Sequence, residues 1–148
     1  MFTRKELVEY SVKKWCNRDL TSKGMAINPQ GDVFCVATLS GDYPNQIYYL
    51  NGRLSPKEAY YCGVYCDRAA NPFDMNYAET RKNIAVTKTD GKTRFVYFFE
   101  KTDEYSDEYY FHGRYKYVDH KQISSRDPEK KYVLIFHLSF VDRPIIHH

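Results

Sequence analysis

The sequence predicts an α+β fold: one leading helix followed by a curved, largely antiparallel sheet of roughly six or seven strands. Three observations predict it. Thr93-Arg94-Phe95-Val96-Tyr97-Phe98-Phe99 and Tyr109-Tyr110-Phe111-His112-Gly113-Arg114-Tyr115-Lys116-Tyr117-Val118 are rich in aromatic and β-branched residues, which suit a pleated, half-buried surface. Only one stretch, at the N-terminus, has clear amphipathic helical spacing. Finally, 15 Tyr, 9 Phe and 1 Trp raise the aromatic share to 17%, and tyrosine, which buries a ring and keeps its hydroxyl wet, dominates. A sheet of this size must protect its edges, so a small or open barrel is the economical architecture.

Each element follows from local chemistry. Thr3-x-x-Glu6 is a capping box, and Leu7, Val8, Val12 and Trp15 recur at helical spacing, so a helix is expected from Arg4 to Cys16 with Trp15 as a core anchor. Asp32 to Leu39 is a nearly continuous apolar run and reads as a central strand. Ser40 to Asn45 has turn chemistry, Gln46 to Leu50 is a short strand, and Pro56 to Ala59 reads as one helical turn. Tyr60 to Cys66 is a further strand in which Gly63 permits a bulge or a close backbone approach. Asp67 to Thr80 is irregular, and loops of that length in compact domains often carry function. Lys82 to Lys88 alternates like a strand, with Asp90-Gly91 as a hairpin turn into the first aromatic strand. The acidic stretch Glu100 to Glu108 separates the aromatic strands. Asp119 to Lys130 is polar and expected at the surface, and Tyr132 to Phe140 reads as an interior strand. His147-His148 matches the remnant of an expression tag.

The totals bound the function classes. A length of 148 residues fits one domain, 1–148. The net charge of +3 permits contact with nucleic acid without demanding it. No run approaches the length of a membrane span, and the charged start Met1 to Glu6 lacks a signal-peptide core. A cytoplasmic, reducing setting follows, with Cys16, Cys35, Cys62 and Cys66 as free thiols. Cys62-x3-Cys66 has no second ligand pair, so no metal site is assigned. Neither paired carboxylates with a lysine, nor a cysteine–histidine motif, nor a phosphate-cradling glycine pattern is present. No catalytic residue and no cofactor are therefore expected. His112 and His137 read as hydrogen-bonded structural histidines.

What stands out is the interleaving of basic and aromatic residues. Strand alternation puts Tyr110, His112, Arg114 and Lys116 on one face, and Tyr109, Phe111, Tyr115 and Tyr117 on the other. A basic face carrying Arg94, Arg114 and Lys116, with Arg81, Lys82 and Asn83 beside it, can position a phosphate backbone. Tyr43, Tyr60 and Tyr61 could sandwich an extruded base.

The order of a leading helix, a Phe-x-Val-Ala-Thr strand, Ala78-Glu79-Thr80-Arg81-Lys82-Asn83, Arg94 to Lys101, and Glu108 to Tyr117 resembles a known family. It is similar to the SRA-like (PUA-superfamily) specificity domains of modification-dependent restriction enzymes, over about the last two-thirds of the chain. In those domains a Glu-Ser-like motif precedes the strand pair, and a Phe/Tyr-Tyr-x-Gly segment begins its second strand. The resemblance implies a curved pseudo-barrel that binds duplex DNA and flips a modified base into a pocket. It puts Thr80 in the family's hydroxyl position, where serine is usual, and implies a nuclease domain or protein as partner. Two other readings stand beside it: a protein-interaction domain of a phage or host-defence factor, and a small nuclease with an unrecognised site.

Overall fold

The computed structural model describes residues 1–38, 52–55, 57–101, 107–124 and 128–146. Strand β1 (Phe2–Thr3) leads into α1 (Arg4–Tyr10), a π-helical turn (Ser11–Trp15) and α2 (Leu20–Lys23). Then come β2 (Met25–Ile27), β3 (Val33–Thr38), β4 (Gly52–Ser55), β5 (Glu58–Cys62) and α3 (Ala78–Thr87). Strands β6 (Val96–Lys101), β7 (Glu108–Ser124) and β8 (Tyr132–Asp142) complete the chain. The strands form one sheet in the order β2-β3-β6-β7-β8-β5-β4, with β1 joined to β7. Every pairing is antiparallel except the parallel β3–β6 pair.

The expected α+β, mostly antiparallel architecture is therefore present. Backbone closure into a barrel is not: among the described residues β2 and β4 end the sheet unpaired with each other. The sheet instead curls until a side chain spans the gap. Tyr61 on β5 reaches across to donate to the carbonyls of Gly24 (3.0 Å) and Val36 (3.3 Å). The expected strand at Gln46 to Leu50 lies outside the described residues.

The capping box at Thr3 forms as expected. The Thr3 hydroxyl accepts from Glu6 N–H, and the Glu6 carboxylate accepts from Thr3 N–H. The helix is shorter than its periodicity predicts because fully buried Ser11 intervenes. Its hydroxyl donates to the Val8 carbonyl and accepts from Leu20 N–H, which pins α1 to α2 and widens the next turn.

Three expected elements are corrected. Residues 82–88 are not a strand: 82–87 belong to α3 and Lys88 caps it, and the helix's inward positions are Thr80, Asn83 and Val86. Two of those three are polar, so the helical face leaves no apolar stripe in the sequence. Asp90-Gly91 accordingly turns from helix to strand. The Asp90 carboxylate accepts from the N–H groups of Lys92, Thr93 and Arg94, bonds that hold its pKa well below the usual range. Glu58 and Ala59 open β5 rather than a helical turn, and the strand ends at Cys62. Gly63 makes the expected close approach: it donates to the Leu134 carbonyl at 2.8 Å, and a Cβ there would stand 2.7 Å from Leu134. Residues 119–124 are exposed, as expected, except half-buried Ile123, yet they extend β7 and pair with β8.

Two cores lie on opposite faces of the sheet. One gathers Val33, Cys35, Val96, Phe98, Tyr115, Leu134, Phe136 and Tyr61 under α3. The other gathers Phe2, Leu7, Phe34, Phe99 and Tyr109 under α1 and α2. Strand β7 serves both, because its register slips by one residue: Phe99 pairs with Phe111, but Phe98 pairs with Gly113. Tyr109 and Phe111 thus pack on the α1 face, whereas Tyr115 and Tyr117 pack on the α3 face. The single aromatic face expected from alternation is divided by this bulge.

Gly113 makes the slip possible. Its φ is 121°, and a Cβ there would stand 2.6 Å from the Asp142 carbonyl oxygen. Gly113→Ala is expected to cost roughly 2–3 kcal/mol of stability, read as a lower urea midpoint. An unchanged midpoint would contradict this account of the bulge.

Candidate nucleic-acid interface

The basic residues singled out in the sequence fall into two groups. Arg114 and Lys116 alternate with core residues Tyr115 and Tyr117, so both lie on the α1 face. Arg94 lies across Gly31, and Lys116 lies across Gly91. Arg94, Arg114 and Lys116 therefore gather around the turns at 28–32 and 90–94. Arg81 and Lys82 stand elsewhere, in the first half of α3. Arg81 donates to the Met75 carbonyl (3.1 Å), and Lys82 donates to the Met25 carbonyl (3.3 Å). The structure thus brings together three of the five cations.

Their availability differs. Arg94 and Lys116 are exposed. Arg114 is half-buried and bonded twice to Asp142, both contacts at 2.6 Å, and its guanidinium sits 3.9 Å over the Phe95 ring. That pairing raises the Arg114 pKa further and holds the Asp142 carboxyl below its ordinary value. Much of its charge is already answered within the chain.

Asn83 and Thr80 do structural work in this structure. Asn83 is fully buried; its amide donates to the carbonyls of Val64 and Pro72 and accepts from Val64 N–H, each at 2.8 Å. Thr80, also fully buried, donates to the carbonyls of Asp74 and Tyr77. Together they lash the irregular 63–77 segment to α3, supplying partners that this segment's backbone would otherwise lack.

Tyr60 and Tyr61 do not face each other across a common space. Tyr60 and Tyr61 are neighbours on β5 and point to opposite faces, so one ring cannot lie between them. Tyr60 stacks on His137 at 4.9 Å, and the two nitrogens of His137 face Glu58 (3.2 Å) and Asp119 (3.4 Å). Tyr61 lies in the α3-side core, edge-on to Phe98, with its hydroxyl pKa raised by burial. Tyr43 lies outside the described residues.

One inward polar couple has no sequence motif to announce it. Glu100 alternates with Val96 and Phe98, which places it on the α3 face rather than in the acidic connection. The bulge carries His112 to the same face, 6.2 Å from the Phe98 ring, and away from Arg114 and Lys116. His112 Nε2 stands 3.4 Å from Glu100 Oε1, and the two side chains are only 16% and 12% exposed. Nε2 is buried and makes no aligned hydrogen bond among the described residues. The one sequence signal for this couple is the glycine after His112.

Other chemistry is sparse. None of the four cysteines is in a disulfide. Burial raises the pKa of Cys35, and pushes that of Cys62 up to about 12, so neither is a ready nucleophile. No cluster of three metal-ligating side chains occurs among the described residues, and no helix there is long and apolar enough to cross a membrane.

The fold is that of SRA domains. The SUVH5 SRA domain in complex with hemi-methylated CG DNA superposes with a TM-score of 0.58 at 14% identity, over 100% of this chain and 90% of that one. The MspJI restriction endonuclease in complex with a 27-mer oligonucleotide gives 0.55 at 10% identity, over 79% of this chain. KRYPTONITE in complex with mCHG DNA and SAH gives 0.53 at 13% identity. This chain spans only 31% of the MspJI chain and 32% of the KRYPTONITE chain. No protein-family model matches the sequence, and no curated protein does.

The geometry separates the lashing residues from the binding candidates. Asn83→Ala should lower stability by about 3 kcal/mol in thermal or urea unfolding, because it strands several buried backbone groups. The DNA affinity of the folded fraction should hold. A variant of wild-type stability with weakened DNA binding would instead make Asn83 a contact residue.

Proposed function

We propose that this chain is a DNA-binding module that reads a modified base, flipped out of the duplex, on the α3 face of its curled sheet. The supporting observation is the fold. It matches the SUVH5 SRA domain over the whole chain, and that domain is bound to hemi-methylated CG DNA. Tyr61 bridges from β5 to the Gly24 and Val36 carbonyls, and this bridge supports reading the open sheet as a pseudo-barrel. On the α3 face Tyr61, packed edge-on to Phe98, is the suggested stacking ring, with Tyr43 its suggested partner. A stacked base would gain about 1–3 kcal/mol from such rings.

The flanks supply the backbone contacts. Arg94 and Lys116, both exposed and set at the neighbouring turns of Gly31 and Gly91, are the leading phosphate ligands, with Arg81 and Lys82 at a second position along α3. Arg114 contributes less, because Asp142 answers its charge. The module itself carries no catalytic group in this reading. Cleavage or another reaction would come from a nuclease partner, in the same protein or a separate one. The free thiols fit a cytoplasmic setting.

Fluorescence anisotropy with unmodified, 5-methylcytosine and 5-hydroxymethylcytosine duplexes tests this. At low salt at least one modified duplex should bind more tightly than the unmodified one, and log K should fall linearly with log salt. Replacing Arg94 and Lys116 by glutamine should weaken all duplexes alike and flatten the salt slope by about one per residue. Failure of every duplex to bind at low salt would remove the function.

A further inference from the structure

A cleft of about 500 Å³ opens on the α1 face, above β3, β6 and β7. The π-helical turn walls one side, and the segment after β8, Pro144 to Ile146, walls another. The floor is aromatic. Phe34 and Tyr97 stack at 4.6 Å, and the Trp15 plane is tilted only 7° from Phe34 at 6.1 Å. Trp15 and Tyr97 are half-buried, so ring surface is left open to the cleft. The rim is cationic. Lys14 and Arg114 line it, and Arg94 lies over Gly31, just past the lining residue Gln30. Among the described residues no carboxylate lines the cleft. Asp142 takes the Nε and Nη2 edge of Arg114, and the rest of the guanidinium keeps N–H groups for an outside anion.

We infer that this cleft binds a nucleoside 5′-phosphate, with its base against Trp15 and Tyr97 and its phosphate on Lys14 and Arg114. The inference goes beyond base reading, since the site proposed for the flipped base is on the α3 face. Three features select this class of ligand. Aromatic surface beside unopposed cations suits a flat ring that carries an anion. The volume suits one small ligand. Finally, β3, β6 and β7 are interior strands, so their backbone groups are spent in the sheet ladder. An extended peptide would find no open strand edge there, whereas a nucleotide is held by side chains alone. Exposed Gln30 offers the base edge a donor and an acceptor together, so the cleft tolerates several bases. The nucleotide comes either from solution or from the unpaired end of a strand whose phosphates lie on Arg94.

Trp15 is the only tryptophan of the chain, so its emission reports on the cleft directly. Titration with dAMP should quench that emission saturably, in the millimolar range or tighter. Deoxyadenosine, which lacks the phosphate, should bind at least about threefold more weakly. Lys14 is exposed, so Lys14→Gln should fold, as circular dichroism checks. This variant should weaken dAMP about three- to tenfold and leave deoxyadenosine unchanged. A duplex with a 5′-phosphorylated adenine overhang, compared with its blunt counterpart, separates the two sources. Stronger quenching by the overhang assigns the cleft to strand ends, and dAMP binding with no such advantage assigns it to free nucleotide; either supports the inference. Absence of saturable quenching by dAMP into the millimolar range overturns it, as does equal binding of dAMP and deoxyadenosine. Quenching by an acidic tyrosine-bearing peptide but not by dAMP would make the cleft a protein-docking surface instead. Base reading is tested separately: a protein that binds modified duplex but not dAMP keeps that function and loses this site, and one that binds dAMP but no duplex does the reverse.

Discussion

One extra residue in β7 governs the molecule. A strand of 17 residues with unbroken alternation would send all its odd-numbered rings to one side. The slip at His112 and Gly113 turns that phase over midway, so a single strand anchors Tyr109 in one core and Tyr115 in the other. Phe98, Phe99 and Tyr115 are completely buried as a result. Each large side chain buried in this way stabilises the fold by about 1.5–3 kcal/mol. The same slip decides which polar groups face inward: it takes His112 off the basic side and sets it beside Glu100.

Polar side chains do much of the remaining fastening. Ser11 joins α1 to α2, Asp90 gathers three backbone N–H groups at the end of α3, and Asn83 holds the long irregular segment before it. Irregular backbone beneath a helix needs partners that a strand or helix would find in its own ladder, and short amide and hydroxyl side chains supply them. This explains why α3 turns two polar residues inward. The sheet can then curl, with Tyr61 bridging its two ends in place of a continuous ladder.

Much of the fold was legible because its signals were local. The Thr3–Glu6 capping box, the aromatic strands and the close approach at Gly63 each depend on a few neighbouring residues. The α3 helix was not legible, since Thr80 and Asn83 on its inner face erase the apolar periodicity that marks helices. The face assignment along β7 was half legible. Arg114 and Lys116 do share a side, but a bulge written only as a glycine at 113 reverses the strand upstream. That Tyr60 and Tyr61 stand back to back across β5 was implicit in the strand expected from Tyr60 to Cys66, since neighbours on a strand face opposite ways. The Glu100–His112 couple needed three-dimensional placement, because its members come from two strands and one is displaced by the bulge.

The two faces divide the labour of the domain. Arg94 and Lys116 are exposed near two turns, and the α3 face carries Tyr61 in its core with Glu100 beside His112. The fold is SRA-like over the full chain, and in the function proposed for it, reading of a modified base in duplex DNA, extrusion of the base is the step everything else serves. Placing 2-aminopurine next to 5-methylcytosine in a duplex and titrating with the protein measures that step, since unstacking raises its emission. A several-fold, saturable rise that tracks binding is the predicted result; tight binding with no change in emission would contradict extrusion of the base.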